Sequence, residues 1–175
     1  LDMKGNILWE TPYGRSWIES FPESRSTPTV ENDRIYVVSG MLDAACIDAK
    51  TGKKIWSEPV ADKYRGQLGR WGTSCSPLIV DNKFILTTGG DLTTVVALDK
   101  TTGEKIWSTG SLNDRLGYVS PCLIDHQGRK QVLSLAEKHL MGISPDDGRI
   151  LWKFDYSRFA GAEGRNNNAT TPLYS

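Results

Sequence analysis

The run Ala97-Leu98-Asp99-Lys100-Thr101-Thr102-Gly103-Glu104-Lys105-Ile106-Trp107 ends in a Gly followed four residues later by a Trp, and that ending recurs. It returns as Gly5-Asn6-Ile7-Leu8-Trp9, Gly52-Lys53-Lys54-Ile55-Trp56 and Gly148-Arg149-Ile150-Leu151-Trp152. The tryptophans stand 47, 51 and 45 residues apart, and four of the six in the chain fall in this frame. Upstream, Cys46-Ile47-Asp48-Ala49-Lys50-Thr51-Gly52 aligns with the run, and Gly142-Ile143-Ser144-Pro145-Asp146-Asp147-Gly148 does so more loosely. A second marker, Ser/Thr-Pro before an apolar stretch, appears at Thr27-Pro28, Ser76-Pro77, Ser120-Pro121 and Thr171-Pro172.

Between the markers lie β-type runs such as Arg34-Ile35-Tyr36-Val37-Val38 and Lys83-Phe84-Ile85-Leu86-Thr87, punctuated by Asn32-Asp33, Asp81-Asn82, Thr51-Gly52 and Asp147-Gly148. Each repeat reads as four short strands: one after the Pro, one after the Asn/Asp turn, one ending at the motif Asp, and one carrying the Trp. Four strands in each unit of 45 to 51 residues is the arithmetic of a propeller blade. A helical repeat would show i, i+3, i+4 periodicity, and no segment does. The expected fold is therefore an all-β propeller of four-stranded antiparallel blades. Complete blades fall at about 26–59, 74–110 and 120–155, with a last strand at 5–10 and a first strand at 170–175. Propellers close with about four to eight blades. This set predicts an incomplete segment of a larger propeller, beginning and ending within blades.

Composition narrows the function classes. The 175 residues carry 21 Lys+Arg against 21 Asp+Glu, so the electrostatic case for nucleic acid is absent. No apolar run reaches the length of a membrane span, and Leu1-Asp2-Met3-Lys4-Gly5 does not read as a signal peptide. Cys46, Cys75 and Cys122 are odd in number and widely spaced, and His126 and His139 are the only histidines. Free, buried, idle thiols are expected rather than a disulfide framework or a zinc site.

The pattern Ala97-x-Asp99-x-x-Thr102-Gly103-x-x-x-Trp107 resembles the tryptophan-docking motif of the pyrroloquinoline-quinone (PQQ) propeller repeat. The chain is similar to quinoprotein alcohol dehydrogenases, propellers of about eight blades, and equally to the noncatalytic outer-membrane-assembly propeller lipoproteins. The resemblance implies that Trp9, Trp56, Trp107 and Trp152 form a girdle, each packing on the neighbouring blade. A large flat side chain recurring beside a Gly once per blade suits the same role. The dehydrogenases carry adjacent cysteines in a ring disulfide, a calcium held by Glu, Asn and Asp, and a catalytic Asp. No cysteines are adjacent in this chain, and no Asp matches the catalytic one. Asn166-Asn167-Asn168 could stand for the calcium-binding Asn, but only Glu163 is near, and such a triplet reads better as turn formers.

Asp48 and Asp99 are expected to cap their turns through backbone N–H groups. No Ser-His-Asp set and no phosphate loop is recognisable: His126 lies in a turn, and His139 reads as a strand-edge residue. The long connections at about 10–25, 58–75, 108–119 and 156–170 hold Arg15, Arg25, Arg65, Arg70, Arg115, Arg158 and Arg165, seven of the ten arginines, but a single lysine, Lys63. Trp17, Trp71 and Tyr118 sit among them. In an up-and-down blade these loops share one face. Two readings stand: a face that recognises carboxylates, sugars or a partner's acidic loop through Arg15, Trp17, Arg65, Arg70, Trp71, Arg115, Tyr118 and Arg165, or arginines paired with acids of the same loops such as Glu19, Asp62, Asp114 and Glu163.

Two function classes follow. One is a noncatalytic binding or scaffold module whose partner is another protein or the missing blades of its own propeller, with no cofactor in this segment. The other is a fragment of a PQQ- and Ca2+-dependent alcohol or sugar dehydrogenase whose site lies elsewhere. The resemblance implies an exported, periplasmic location. Uncovered blade faces and unpaired strands at both ends predict that the isolated chain self-associates or aggregates.

Overall fold

The computed structural model describes residues 1–22, 24–159, 169–172 and 174. Three antiparallel sheets follow one another along the chain, each with its four strands in sequence order. The first contains β1 (Thr29–Glu31), β2 (Arg34–Val38), β3 (Asp43–Asp48) and β4 (Lys54–Pro59). The second contains β5 (Leu78–Val80), β6 (Lys83–Thr87), β7 (Val95–Asp99) and β8 (Lys105–Ser108). The third contains β9 (Cys122–His126), β10 (Arg129–Leu135), β11 (His139–Ile143) and β12 (Ile150–Asp155). The first hairpin turn of each sheet opens on a residue with positive φ, namely Asn32, Asp81 and Gln127, which matches the right-handed strand twist.

The middle strands of the second sheet are apolar on both faces because that sheet is a filling between the other two. Tyr36, Val38, Ala44, Cys46 and Trp56 of the first sheet meet Phe84, Leu86, Val96 and Leu98 of the second. The opposite face of the second, with Ile85, Val95, Ala97 and Trp107, meets Val132, Met141 and Ile143 of the third. The free face of the first sheet, Val37, Ala45 and Ile47, is covered by Trp9 and Tyr13.

The recurring motif is the joint between sheets. Asp48 Oδ1 accepts from the N–H groups of Lys50 and Thr51 at 3.1 and 2.8 Å, and Asp99 Oδ1 accepts from those of Thr101 and Thr102 at 2.7 and 3.1 Å. The Thr51 hydroxyl, then its N–H, hold the Asp48 carboxyl below the ordinary 3.8, and the Thr101 hydroxyl leads the same effect at Asp99. Each turn ends on a Gly with positive φ, +70° at Gly52, +81° at Gly103 and +75° at Gly148. On these three glycines lie the indoles of Trp9, Trp56 and Trp107, so close that an added methyl would sit 2.6, 3.0 and 2.5 Å from ring carbons. Each indole N–H donates to the carbonyl one residue past the start of the turn: Trp9 to Ala49 at 3.1 Å, Trp56 to Lys100 at 3.0 Å, Trp107 to Pro145 at 3.0 Å. A β-bulge recurs at Cys46/Ile47, Ala97/Leu98 and Gly142/Ile143, opposite the tryptophan strand in every sheet. It bends the strand that leads into each turn.

The Ser-Pro marker forms a second joint. Ser76 Oγ accepts from Thr27 N–H of the preceding repeat at 2.9 Å, Ser120 Oγ accepts from Ser76 N–H at 2.8 Å, and the Thr29 hydroxyl donates to Pro77 O at 2.8 Å.

Two expectations need correction. Trp152 is not buried: it is 39% exposed, lies over Gly142 of its own sheet, and donates to Gln131 Oε1 at 2.7 Å. No turn among the described residues offers it the seat that the other three tryptophans have. Residues 5–10, and residues 170–172 and 174, form no strand, since no neighbouring strand pairs with them among the described residues. A helical turn, α1 (Val60–Tyr64), follows β4 and buries Val60 and Tyr64. At five residues it is too short to leave a periodic trace.

Trp107, 6% exposed, carries both the apolar and the hydrogen-bonded half of a joint. Trp107→Ala is expected to cost about 3–5 kcal/mol in chemical denaturation, whereas Trp152→Ala at its open site costs about 1 kcal/mol or less.

Candidate functional site

The long connections and the β2–β3, β6–β7 and β10–β11 turns meet on one face. Arg15 crosses to the start of β3, where its Nη2 lies 2.6 Å from Asp43 Oδ1, its Nε 3.0 Å from Oδ2, and its backbone N–H 2.7 Å from Oδ2. Nη1 also reaches Asp62 at 3.1 Å. Asp43 is nearly enclosed, its side chain 10% exposed. Burial pushes its pKa up, but hydrogen bonds from the Arg15 side chain and N–H outweigh this and hold it below 3.8. A cavity of about 420 Å³ opens beside this pair, lined by Thr11, Tyr13, Gly14, Arg15, Ser24 and Ser39 among others. Arg15, the charged side chain among the described lining residues, is thus already engaged.

Arg65 pairs with Asp91 in the β6–β7 turn at 2.5 Å. Arg25 donates to Trp71 O. Arg70 and Arg115 differ: both are exposed, and neither guanidinium has a carboxylate partner among the described residues. Arg70 lies 5.7 Å above the Trp71 ring, and Trp71 packs on Tyr118 with centroids 5.6 Å apart. Tyr118 OH accepts from Trp71 N–H at 3.1 Å, and its ring covers Gly69. The structure therefore gathers Arg70, Trp71 and Tyr118 into one stack bridging two connections, with Arg115 on the same connection as Tyr118.

Trp17 leaves the set. It is 8% exposed and packs on Gly72, whose φ is +73°, with its indole N–H on Ser20 Oγ at 3.3 Å. It is a packing residue, an aromatic on a positive-φ glycine once more. Arg165, Glu163 and the Asn166-Asn167-Asn168 triplet lie outside the described residues.

Of the acids named as arginine partners, Asp62 meets Arg15. Asp114 meets no guanidinium among the described residues, and its Oδ1 accepts from Arg115 N–H at 2.9 Å. It is buried, and its Oδ2 accepts from Lys138 N–H at 2.8 Å, His139 N–H at 3.1 Å and His139 Nδ1 at 2.9 Å. It fastens the third connection to the β10–β11 turn. Asp43, overlooked in the sequence, sits at a strand start, where only its place after the β2–β3 turn could have marked it.

Among the described residues no three His, Cys, Asp or Glu side chains are placed to hold a metal ion. Cys46, Cys75 and Cys122 are free. Cys75 is fully buried beside the carbonyls of Gly117 and Val119, both 3.2 Å away, and burial pushes its thiol up to about 12. No described helix is long and apolar enough to cross a membrane.

Sheets of four antiparallel strands, joined face to face in sequence order, define a β-propeller architecture. The chain belongs to the propeller family described as "Outer membrane protein assembly factor BamB", whose family model matches residues 1–172. It is 28% identical over 114 residues to outer membrane protein assembly factor BamB of Kangiella koreensis, a match covering 62% of this chain and 26% of that protein. It is 34% identical over 89 residues to quinoprotein alcohol dehydrogenase PedH of Pseudomonas putida, covering 47% of this chain and 14% of that protein. Among solved structures, BamB from Moraxella catarrhalis superposes with a TM-score of 0.55 at 18% identity, over 75% of this chain and 36% of that one. Quinohemoprotein alcohol dehydrogenase from Comamonas testosteroni gives 0.56 at 18%, over 75% and 21%. A europium-containing methanol dehydrogenase gives 0.59 at 13%, over 83% and 33%. The structural likenesses show the fold. The chain spans 14% to 36% of the lengths of these relatives.

The Arg15–Asp43 contact ties the first connection to the sheet, and Asp43→Asn is expected to cost about 1–2 kcal/mol at neutral pH. Because the folded-state pKa of Asp43 is depressed, its contribution is complete above the ordinary value of 3.8 and is lost as pH falls through the lower folded value. Thermal unfolding of both proteins across pH 2–7 is expected to show their difference narrow only at the acid end.

Proposed function

We propose that this chain is part of a noncatalytic, exported propeller that holds a partner protein on its loop face, as a binding or scaffold module. The observation that carries the reading is the division among the arginines. Arg15 and Arg65 are engaged by Asp43 and Asp91, whereas neither Arg70, which lies on the aromatic stack, nor Arg115 has a carboxylate partner among the described residues. Arg on a flat aromatic platform suits planar carboxylates in an acidic loop of a partner, and Arg and aromatics are the residue types that dominate interface energetics. The match to an assembly factor over residues 1–172 supports the same class and an exported location.

A second reading is favoured by the 34% identity to PedH: a segment of a PQQ-dependent dehydrogenase whose cofactor seat is formed by other blades. The family model weighs against it. In either reading the three blades, together with the segments around Trp9 and Pro172, form an incomplete propeller.

Two measurements separate the readings. The protein as it occurs in its native host, with PQQ and Ca2+ added, is expected to give no dye reduction with alcohols or aldoses and no saturable change in Trp fluorescence. PQQ-dependent turnover would establish the second reading. A photo-crosslinking residue at position 70 or 115, introduced into the native host, is expected to trap one discrete protein partner, while one at Lys130 in the exposed β9–β10 hairpin traps none. Arg70→Ala combined with Arg115→Ala is expected to weaken capture by a neighbouring crosslinking position about tenfold or more.

A further inference from the structure

Three of the connections on the loop face meet at Trp71, and each takes hold of it by a different group. Its N–H donates to Tyr118 OH of the third connection at 3.1 Å. Its carbonyl accepts from Nη2 of Arg25, which arrives from the first connection. Its ring carries Arg70 of its own connection, 5.7 Å from the centroid, and packs on Tyr118. Nothing near Arg25 in the sequence marks the carbonyl it meets, 46 positions away.

The residues beneath hold this junction still. Ser74 Oγ donates to Tyr118 O at 3.0 Å, the Cys75 thiol lies 3.2 Å from both Gly117 O and Val119 O, and Ser76 N–H donates to Ser120 Oγ at 2.8 Å. Tyr118 therefore cannot slide along the second connection without breaking hydrogen bonds that are partly or wholly buried. Its hydroxyl also closes over Gly69, where an added methyl would sit 2.4 Å from the oxygen.

Arg25 and Arg70 are oriented by neutral groups. A carbonyl and an indole face attract a guanidinium through a dipole and a quadrupole, but neither carries a net charge that would cancel it. Arg15 and Arg65 differ, because carboxylates stand 2.6 and 2.5 Å from them. Arg25 and Arg70 are both exposed, and neither has a carboxylate partner among the described residues. Arg25 places one nitrogen on the carbonyl, and a guanidinium has five N–H donors, so its fork stays open to a second acceptor. Two positive charges are thus set around one residue whose own position is fixed.

We propose that Arg25 and Arg70 form a two-point clamp about Trp71 for an acidic segment of a partner protein, in which two carboxylates stand two residues apart on an extended stretch. The proposal rests on the partner reading of the loop face and adds to it a second contact and a spacing. Side chains two apart in an extended chain point to the same side, about 7 Å from each other. That suits guanidinium groups that both touch a single residue. Each takes a carboxylate through charge-assisted hydrogen bonds. Once the first carboxylate is held, the second meets its arginine at high effective concentration, so a paired acid is favoured over a single one.

The test uses the full-length protein purified from its native host, with variants made in the same host. The probe is a fluorescently labelled peptide, Ser-Gly-Glu-Thr-Glu-Gly-Ser, followed by anisotropy at low salt, where surface charges are least screened. Peptides with Gln in place of the first Glu, the second, or both serve as controls. Wild type is expected to prefer the two-Glu peptide about tenfold over either single-Glu peptide. Arg25→Ala and Arg70→Ala are each expected to abolish that preference, because the second carboxylate then has no arginine to meet. Arg65→Ala is expected to change affinity by less than about twofold. Arg25→Lys, which keeps the charge but not the fork, is expected to restore only part of the preference. These side chains are exposed, so all variants are expected to keep the wild-type near-UV circular dichroism. The clamp is overturned if Arg25→Ala binds the two-Glu peptide as wild type does, or if the peptide lacking both Glu binds equally well. Inorganic pyrophosphate that displaces the peptide at a lower concentration than unlabelled two-Glu peptide also overturns it, and assigns the arginines to phosphate groups. A partner trapped through position 115, with Arg25→Ala unchanged in peptide binding, overturns the clamp while the partner reading stands. No partner trapped from position 70 or 115 overturns that reading itself.

Discussion

An indole resting on a bare glycine, with its N–H on a main-chain carbonyl of the same turn, is the contact that the remaining architecture serves. Its geometry explains the composition of the motif. A methyl on Gly52 or Gly148 would come within 2.6 Å of the ring, so any other residue would push the blades apart. The positive φ needed to close the turn independently asks for glycine. The motif Asp spans its turn from the other end: its carboxylate gathers the N–H groups that the turn leaves unpaired and holds the acceptor carbonyl one residue on. Burying the large indole drives the contact, and the hydrogen bond keeps its polar edge from being a penalty.

One row of contacts would leave neighbouring sheets free to pivot. The Ser-Pro marker supplies another, through Ser76 and Ser120 hydroxyls that receive N–H groups from the repeat before. The two rows attach to opposite edges of each sheet, the Trp joint at the fourth strand and the Ser-Pro joint ahead of the first. Between them the apolar faces interdigitate, with Phe84 edge-on to Trp56 at 5.5 Å and the Thr87 and Ser134 hydroxyls 2.8 Å apart across the second and third sheets. Fixing both edges sets the angle between blades, which is what the curvature of a propeller requires.

Strand order, turn glycines and three of the four tryptophan positions were legible because each is a local pattern repeated at a fixed period. Residues whose role depends on what stands beside them were not. Trp152 carries the same motif as Trp107, but its burial is decided by a following blade. Trp17 looked like a surface aromatic because Gly72, the residue it covers, is 55 positions away in another connection. Asp114 was legible as an acid among arginines, yet its hydrogen bonds go to His139 and to backbone N–H groups that the β10–β11 turn happens to present. The sequence marked which side chains lie on the loop face but not which charges are already matched.

That matching bears on how the face can work. A guanidinium committed to a nearly enclosed carboxylate, as Arg15 is to Asp43, cannot turn to an incoming group without leaving that carboxylate unpaired in a poorly hydrated place, a penalty larger than a surface ion pair returns. Arg15 therefore anchors its connection, and Asp114 does the same for the third from within. The effect is to hold the Trp71–Tyr118 stack in one arrangement before anything binds. Arg70, laid on that stack, loses less side-chain freedom on contact than an arginine free in solvent, and lower ordering cost is a direct gain in affinity. The enclosed carboxylates Asp43 and Asp114 and the exposed arginines without carboxylate partners among the described residues are thus parts of one arrangement: the first set the loops, and the second use the fixed platform they create.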